Sequence, residues 1–262
     1  MSTLTKHAPG TFCWPELGTL DQPGAKKFYG AIFGWTFRDF PMGPEAGDYT
    51  IFQLGGRDVA ACYTLMPELK AAGVPPHWMA YVSVESADAA AKKAASIGGT
   101  ILREPMDVMG FGRMAVLRDP NGAPFAVWQD QGHPGNAVHD EPGALTWTEL
   151  QTTEPESAAD FYTALFPWHT QKWPGPKTYT MFMRGEVGAG GLSEIPPSMK
   201  GMPPCWVSYF EVKDAAATVE KAQKSGGRML APVDDAPGVG RIAALADPSG
   251  AAFAILEPAR KM

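Results

Sequence analysis

The chain has 262 residues, of which 45% are hydrophobic, and it carries a formal net charge of −6 with a pI near 5.4. This length is about twice that of a common domain, which predicts two domains that each bury their own core. The acidic balance and the lack of a Lys/Arg run argue against nucleic-acid binding. No apolar stretch is long enough for a membrane span, and no secretory signal is evident, so we expect a cytoplasmic protein.

The first quarter of the chain predicts a strand, a helix and further strands. A strand around Trp14 precedes Asp21, which can cap a helix that ends at Gly34. Runs of strand-forming residues follow at 49–54 and 59–65. The predicted helix has one apolar face, formed by Ala25, Phe28, Tyr29, Ile32 and Phe33.

The second quarter repeats this order of elements. A strand is expected at 78–84 and a helix at 87–96, which Gly98 and Gly99 stop. Three strands are then predicted, at 100–103, 113–118 and 125–129. A tight turn joins the last two, formed by Asp119-Pro120-Asn121-Gly122. Each quarter is therefore about βαβββ.

The second half of the chain repeats the first, motif by motif. Motifs recur in one order and at matching spacing: Trp14-Pro15-Glu16-Leu17 as Trp147-Thr148-Glu149-Leu150, Phe28-Tyr29 as Phe161-Tyr162, Phe33-Gly34-Trp35 as Phe166-Pro167-Trp168, Gly98-Gly99 as Gly226-Gly227, Gly110-Phe111-Gly112-Arg113 as Gly238-Val239-Gly240-Arg241, and Asp119-Pro120-Asn121-Gly122 as Asp247-Pro248-Ser249-Gly250. Such self-similarity indicates a tandem duplication, so the chain contains four βαβββ units.

A stretch rich in Gly and Pro at 132–142 lacks periodicity and is predicted to be a surface linker. It would separate a first domain at 8–131 from a second at 143–260. Its histidines, His133 and His139, are expected to be solvated. The cysteines lack the spacing of a disulfide framework or a zinc site and are expected to be small buried side chains, at Cys13, Cys62 and Cys205.

These motifs resemble those of the vicinal oxygen chelate superfamily, which includes glyoxalase I, bleomycin-resistance proteins and extradiol dioxygenases. They are most similar to the duplicated bacterial proteins related to lactoylglutathione lyase. The resemblance covers nearly all of residues 10–130 and 143–258. It implies an α+β fold of tandem glyoxalase-like domains, each with two βαβββ units that form an incomplete barrel. It also implies either a monomer that imitates a family dimer or a homodimer.

Metal-dependent members of that superfamily hold a divalent ion with His or Gln on the first strand of a unit and Glu on the last. The resemblance places the ligand positions at Trp14, Met79 and Ala126 in the first copy, and at Trp147, Val207 and Ala254 in the second. None of these side chains can coordinate a divalent ion. We therefore expect neither a metal nor another cofactor, and we do not expect metal-dependent glyoxalase or dioxygenase activity.

Glu16 and Glu149 each follow a tryptophan by two residues, so strand geometry places each carboxylate on the same face as an indole. A carboxylate under apolar walls should have a raised pKa and could bind a cation or act as a general base. The alternative is a structural ion pair with an arginine of the same domain. The candidate partners are Arg113 and Arg241.

The other candidate ligand-binding side chains are aromatic, titratable or cationic: Trp14, Trp147, Trp78, Trp206, Tyr49, Tyr179, Tyr81, Tyr209, His77, Arg113 and Arg241. The indoles could stack on a planar or cationic ligand, and the phenols could donate hydrogen bonds to it. The alternative is that the aromatic residues belong to the core or simply suit a sheet. His77 could titrate near neutrality or be a surface histidine.

Three functions follow from these residues. The favoured one is metal-free binding of a small organic molecule in each cavity, and the acidic balance favours a neutral or cationic ligand. The second is a metal-independent lyase or isomerase in which Glu16 or Glu149 moves a proton beside a carbonyl. The third is a non-catalytic scaffold whose cavities are filled by Trp14 and Trp147.

Overall fold

The computed structural model describes residues 5–43, 47–174, 179–196, 199 and 201–259. The first copy contains β1 (Phe12–Thr19), α1 (Gln22–Phe33), β2 (Thr36–Pro41), β3 (Asp48–Leu54), β4 (Arg57–Thr64), α2 (Pro67–Ala71), β5 (His77–Ser83), α3 (Ala87–Ser96), β6 (Thr100–Val108), β7 (Gly112–Arg118) and β8 (Pro124–Asp130). The second contains β9 (Leu145–Thr152), α4 (Pro155–Leu165), β10 (His169–Lys172), β11 (Thr180–Arg184), β12 (Val187–Glu194), β13 (Cys205–Glu211), α5 (Ala215–Lys224), β14 (Arg228–Ala236), β15 (Gly240–Ala246) and β16 (Ala252–Pro258).

Each copy forms one eight-stranded sheet. The order of the strands is β2-β3-β4-β1-β5-β8-β7-β6 in the first sheet and β10-β11-β12-β9-β13-β16-β15-β14 in the second. The central strands β1 and β5 pair antiparallel, and each pairs parallel with the last strand of its own unit. The edge strands of each sheet do not pair with each other, so the sheets are open rather than closed barrels. The predicted α+β fold with two βαβββ units per copy is confirmed.

The edge strands β2 and β10 and the short helix α2 were not predicted from the sequence. Nearly every residue of β2 is exposed and all of β10 is, so these strands lack the alternation of buried and exposed residues that marks a strand. The predicted start and end of α1 are correct. The Asp21 side chain accepts a hydrogen bond from the Gly24 amide at 2.9 Å, and Gly34 ends the helix with φ 74°. No described helix is long and apolar enough to cross a membrane.

The longer helices, α1, α3, α4 and α5, cover one face of each sheet and pack against the other copy. We call this the packed face and the opposite side the open face. In one shared core, α1 of the first copy lies against α5 of the second; in the other core, α3 lies against α4. The first unit of the chain therefore packs with the fourth, and the second with the third. Each copy therefore buries the apolar side of its sheet against the other copy.

Buried hydrogen bonds cross between the copies in both packed cores. The Tyr29 hydroxyl donates to Asp247 Oδ2 at 3.2 Å and accepts a hydrogen bond from Trp78 Nε1 at 3.0 Å. Asp247 holds its own turn through Oδ1, which accepts from the Ala251 amide at 2.9 Å. The Asp247 carboxylate thus fixes the repeated Asp-Pro-x-Gly turn and also accepts a hydrogen bond from the tyrosine of the other copy. The equivalent Tyr162 lies beside Asp119.

The repeated tryptophans that follow α1 and α4 make a second pair of reciprocal contacts. Trp35 Nε1 donates to the Gly143 carbonyl at 2.7 Å, and Trp168 Nε1 donates to the Gly10 carbonyl at 2.8 Å. Both indoles are buried, and each reaches the residues just before the first strand of the other copy. The repeat motifs found in the sequence are therefore largely the motifs that join the two copies.

The segment 132–142 is packed into the protein and is not a solvated linker. Asn136 is fully buried, and its carbonyl oxygen lies 2.9 Å from His7 Nε2. The His133 ring packs edge-on against Trp14, with ring centroids 5.0 Å apart. The Nε2 atom of His139 is buried, and its ring lies 5.8 Å from that of His7. The expectation of solvated histidines was wrong because this segment crosses the ends of the strands.

We expect Tyr29→Phe to lower the free energy of unfolding by about 1–3 kcal/mol, because it leaves a buried carboxylate oxygen and an indole N–H without a partner. Chemical denaturation followed by circular dichroism measures this change. Tyr63→Phe is the matched control, because no hydrogen bond of the Tyr63 hydroxyl is found among the described residues. Equal stability of the two variants would contradict the assigned role of Tyr29.

The packed histidines predict a loss of stability in mild acid. Burial lowers the pKa of His139 to about 4, and the charge of His7 acts in the same direction. Because the folded-state pKa lies below the ordinary 6.5, folding favours the neutral form of His139. This contribution to stability is complete above pH 6.5 and is lost as the pH falls toward 4. Melting temperatures between pH 7.5 and 4.5 should fall less for His139→Gln than for the unmodified protein. An equal fall in melting temperature for the two proteins over this pH range would rule out this explanation.

Candidate binding site on the open faces of the sheets

Side chains of β1 alternate between the packed face and the open face of the first sheet. Leu17 lies in a core shared with the second copy, whereas Trp14 belongs to an apolar cluster on the open face. Tyr81 of β5 and Trp128 of β8 are members of the same cluster. Glu16 follows Trp14 by two residues and lies on the same face, as the sequence analysis expected.

The Glu16 carboxylate is held by two phenol hydroxyls. Tyr49 donates to Oε1 at 2.7 Å, and Tyr81 donates to Oε2 at 2.8 Å. Trp14 Nε1 in turn donates to the Tyr49 hydroxyl at 3.1 Å. These contacts join β1, β3 and β5, and they bring a carboxylate, two phenol hydroxyls and an indole N–H together on the open face.

Burial dominates the electrostatics of this carboxylate. It raises the pKa of Glu16, while the hydrogen bonds from Tyr49 and Tyr81 and the charge of Arg103 oppose the rise. Burial and the charge of Glu16 also raise the pKa of Tyr49 and of Tyr81 well above the ordinary value. Both phenols therefore stay protonated and act as donors. In the part of the chain that the structure describes, no cationic side chain hydrogen bonds to Glu16.

The second copy repeats this arrangement with different partners. Glu149 accepts hydrogen bonds from Ser193 at 2.8 Å and from Tyr209 at 3.3 Å. Gln151 Nε2 lies 3.3 Å from Glu149 Oε1, and it stands where the first copy has Gly18. Trp147 Nε1 donates to the Tyr179 hydroxyl at 2.8 Å. The pairing of Trp, Tyr and Glu is thus common to both copies, whereas the remaining polar groups differ.

Apolar side chains surround each carboxylate and are reached by solvent. In the first copy the half-buried members of the open face are Tyr49, Ile51, Tyr63, Met79, Met114 and Val116. In the second copy they are Trp147, Tyr179, Met181, Val207 and Ile242. Trp14 is more deeply buried than its counterpart Trp147. Each open face is therefore an accessible apolar surface with one carboxylate.

Trp78 and Trp206 do not line the open faces, contrary to expectation. Each precedes an open-face residue by one position and therefore lies on the packed face. Trp78 donates to Tyr29, and Trp206 donates to the Tyr162 hydroxyl at 2.8 Å. Both indoles are buried in the cores between the copies, where no ligand can stack on them.

Arg113 and Arg241 are not partners of the central carboxylates. Arg113 binds Asp88 at 2.7 Å and Asp107 at 3.0 Å, and Arg241 binds Glu257 at 3.1 Å. Each arginine precedes a residue of the open face by one position, namely Met114 or Ile242, so it lies on the opposite side of its strand. The structural ion pair with Glu16 or Glu149 that the sequence suggested for them is not formed.

His77 lies at the far end of the open face, beside Tyr63. The two side chains approach each other over Gly18, which pairs with both residues. His77 Nδ1 lies 2.8 Å from the Pro75 carbonyl, and burial lowers the pKa of this imidazole. Its counterpart in the second copy is Cys205.

Trp128 and Arg103 are among the open-face residues that were not identified from the sequence. Trp128 follows Ala126 by two positions, so the alternation along β8 could have shown that it faces the same cavity. Arg103 lies in β6, whose pairing with β7 is interrupted by irregularities on both sides of this residue. Because of these bulges, counting along the strand could not indicate the face on which Arg103 lies.

The donor set of the open face does not fit a divalent metal ion. The register brings Trp14 beside Tyr81, and Tyr81 beside Ala126, on the three strands where the resemblance implies ligands. The oxygen donors at this place are one carboxylate and phenols whose protons already bind it. Among the described residues, no group of three or more His, Cys, Asp and Glu side chains is suited to hold a metal.

Two surface clefts of about 380 and 370 Å³ lie elsewhere. The first is lined by residues at the end of β14 and β16, including Arg241 and Glu257, and the second lies between Ile97, Pro120 and Phe161. Neither includes Glu16 or Glu149, so the carboxylates lie on open sheet faces and not in these clefts.

The sequence matches the Glyoxalase/Bleomycin resistance protein/Dioxygenase superfamily over residues 14–127 and again over 144–255. It is 38% identical to CFP32 of Mycobacterium tuberculosis, which carries the name of a glyoxylase, over 99% of both chains. It is 36% identical to the anthracycline biosynthesis protein DnrV of Streptomyces peucetius, over 97% of this chain and 95% of that protein.

Solved structures of low sequence identity share the fold. A Mn(II)-bound glyoxalase from Novosphingobium aromaticivorans aligns with a TM-score of 0.65 at 14% identity, covering 98% of this chain and 84% of that chain. The 2,3-dioxygenase LapB from Pseudomonas sp. KL28 aligns with a TM-score of 0.64 at 13% identity, covering 99% and 94%. At these identities the likeness concerns the fold.

We expect Glu16→Gln to raise the melting temperature at neutral pH, because it removes a buried charge that has no cationic hydrogen-bond partner. A folded-state pKa above the ordinary 4.5 means that the charged carboxylate costs stability as the pH rises past 4.5. The gain should therefore be larger at pH 7.5 than at pH 4.5. Scanning calorimetry of both proteins measures it, and a gain that shrinks with rising pH would contradict this account.

Proposed function

Because the chain belongs to the Glyoxalase/Bleomycin resistance protein/Dioxygenase superfamily, we propose that it binds a small organic molecule on the open face of each sheet without a metal ion. The ligand presents a hydrogen-bond-donating or cationic nitrogen to Glu16 in the first copy and to Glu149 in the second. Aromatic side chains hold the rest of the ligand.

One observation carries this proposal: each open face has a carboxylate whose hydrogen-bond partners, among the described residues, are all neutral donors. Removing a carboxylate from water costs free energy that neutral hydrogen bonds offset only in part. An amine of the ligand would complete the pair and would gain a charge-assisted hydrogen bond. Glu149, which is only 9% exposed, carries the same argument in the second copy.

The aromatic surroundings favour a ligand with a flat apolar body. The half-buried aromatic side chains of the open faces, Tyr49 and Tyr63 in the first copy and Trp147 and Tyr179 in the second, offer faces and edges on which an aromatic ring packs well. Trp and Tyr faces also attract cations. The name of the relative from Streptomyces peucetius refers to anthracyclines, which are polycyclic aromatic molecules, and this agrees with an aromatic ligand.

The donor set supports metal-free binding. Trp14, Met79 and Ala126 supply no oxygen or imidazole ligand for a divalent ion at the three strand positions, and the phenol protons of Tyr49 and Tyr81 are directed at the carboxylate. An organic cation needs only one carboxylate and an apolar wall, and both are available on these faces.

Isothermal titration with 2-phenylethylamine in a buffer containing EDTA tests the proposal. We expect two molecules bound per chain, and one molecule bound in either Glu16→Gln or Glu149→Gln, because each substitution removes the anionic partner of one site. The affinity lost at the altered site should be about tenfold or more, as expected for a hydrogen bond to a charged group.

Glu257→Gln is the matched control, because this carboxylate is paired with Arg241 away from both open faces. It should bind two molecules with unchanged affinity. Absence of binding to the unmodified protein, or binding that EDTA abolishes and added metal restores, would overturn the proposal.

A further inference from the structure

Arg103 reaches across the open face of the first sheet. Its Nη2 atom lies 3.7 Å from the Met66 sulfur and its Nη1 atom 3.5 Å from the Met106 sulfur. Met66 follows β4, whereas Arg103 lies on the edge strand β6, and four strands stand between β4 and β6. These strands would be about 24 Å apart on a flat sheet. The contact therefore shows that the sheet curls until Arg103 lies over the open face.

In the part of the chain that the structure describes, the guanidinium of Arg103 has no carboxylate partner. Its hydrogen-bond partners there are two thioether sulfurs, which are weak acceptors. Arg113 on the neighbouring strand, by contrast, binds two aspartates. A guanidinium matches the geometry of a carboxylate and binds it through two parallel hydrogen bonds. Arg103 is thus an exposed cation held in place at the mouth of the site.

Arg103 is close to the polar groups at the floor of the site. Burial raises the pKa of Glu16 and of Tyr63, and the charge of Arg103 opposes both rises. Tyr63 and His77 meet over Gly18, one position along the open face from Glu16. The first site therefore has an anion at its floor and a cation at its mouth.

In the second copy, the residue at the register position of Arg103 is not cationic. The position of Arg103, opposite Val116 in the strand register, is occupied by Ala231, opposite Ala244. The counterparts of the other mouth residues also differ: Pro196 stands for Met66, Ser193 for Tyr63 and Cys205 for His77. The two sites thus share the carboxylate but not the opposing charge.

We propose that the first site selects a ligand that carries both an amine and a carboxylate, with the amine on Glu16 and the carboxylate on Arg103. The second site takes the amine without requiring the carboxylate. This inference rests on the proposed function and adds the chemical class of the ligand. Arg103 is its specificity-determining residue, because it adds a cation to the Trp, Tyr and Glu side chains that the two sites share.

Probes that differ only by the carboxylate test the inference. In Glu149→Gln protein, which retains the first site, we measure the affinities of 2-phenylethylamine, phenylalanine and 3-amino-4-phenylbutanoate by titration calorimetry. The last two carry the carboxylate at different distances from the amine. At least one of them should bind about tenfold more tightly than 2-phenylethylamine. In Glu16→Gln protein, which retains the second site, neither should show this preference.

Adding Arg103→Ala to the Glu149→Gln protein should reduce the preference to about one, since it installs the residue found in the second copy. Arg113→Ala removes the same charge from the opposite face and should leave the preference intact. If 2-phenylethylamine binds but neither amino acid binds more tightly, or if Arg103→Ala keeps the preference, the inference is wrong while the proposed function stands. If no probe binds either site, the proposed function itself fails.

Discussion

The hydroxyl of Tyr29 in the first copy binds Asp247 in the second, and the whole fold depends on the packing to which this bond belongs. A sheet with helices on one side must bury that side, and here each copy buries it against the other. The contacts are reciprocal, since Trp35 reaches the second copy as Trp168 reaches the first. The remaining face of each sheet is left open, and this is why the carboxylates of β1 and β9 lie where a ligand can reach them.

Much of this architecture could be predicted because the motifs that reveal the duplication consist of residues that pack in the cores. The repeated Phe-Tyr, Phe-x-Trp and Asp-Pro-x-Gly motifs keep their identity in both copies because each fits a close-packed core. The alternation along β1 likewise placed Glu16 and Trp14 on one face before any contact was known. Periodicity was informative wherever a strand has one buried side.

The open faces were harder to predict. Trp78 and Trp206 look like ligand-binding residues in the sequence, but only the strand register shows that they lie on the packed face. Arg113 follows a conspicuous glycine turn, yet it binds aspartates of its own surface. Arg103 has no distinguishing neighbours, and its position over the site depends on irregular pairing and on the curl of the sheet. These are long-range properties that no local pattern encodes.

The two faces of each sheet differ in what a substitution there disturbs. A substitution at Tyr29 or Asp247 disturbs both halves of the molecule at once, because the hydrogen bond between these residues joins the two copies. Gly18, Tyr63 and Arg103, by contrast, belong to the open side of the first sheet. The duplicated chain thereby separates the packing of its two halves from the chemistry of their exposed surfaces: the packed faces carry the same motifs, whereas the open faces carry different side chains around one shared carboxylate.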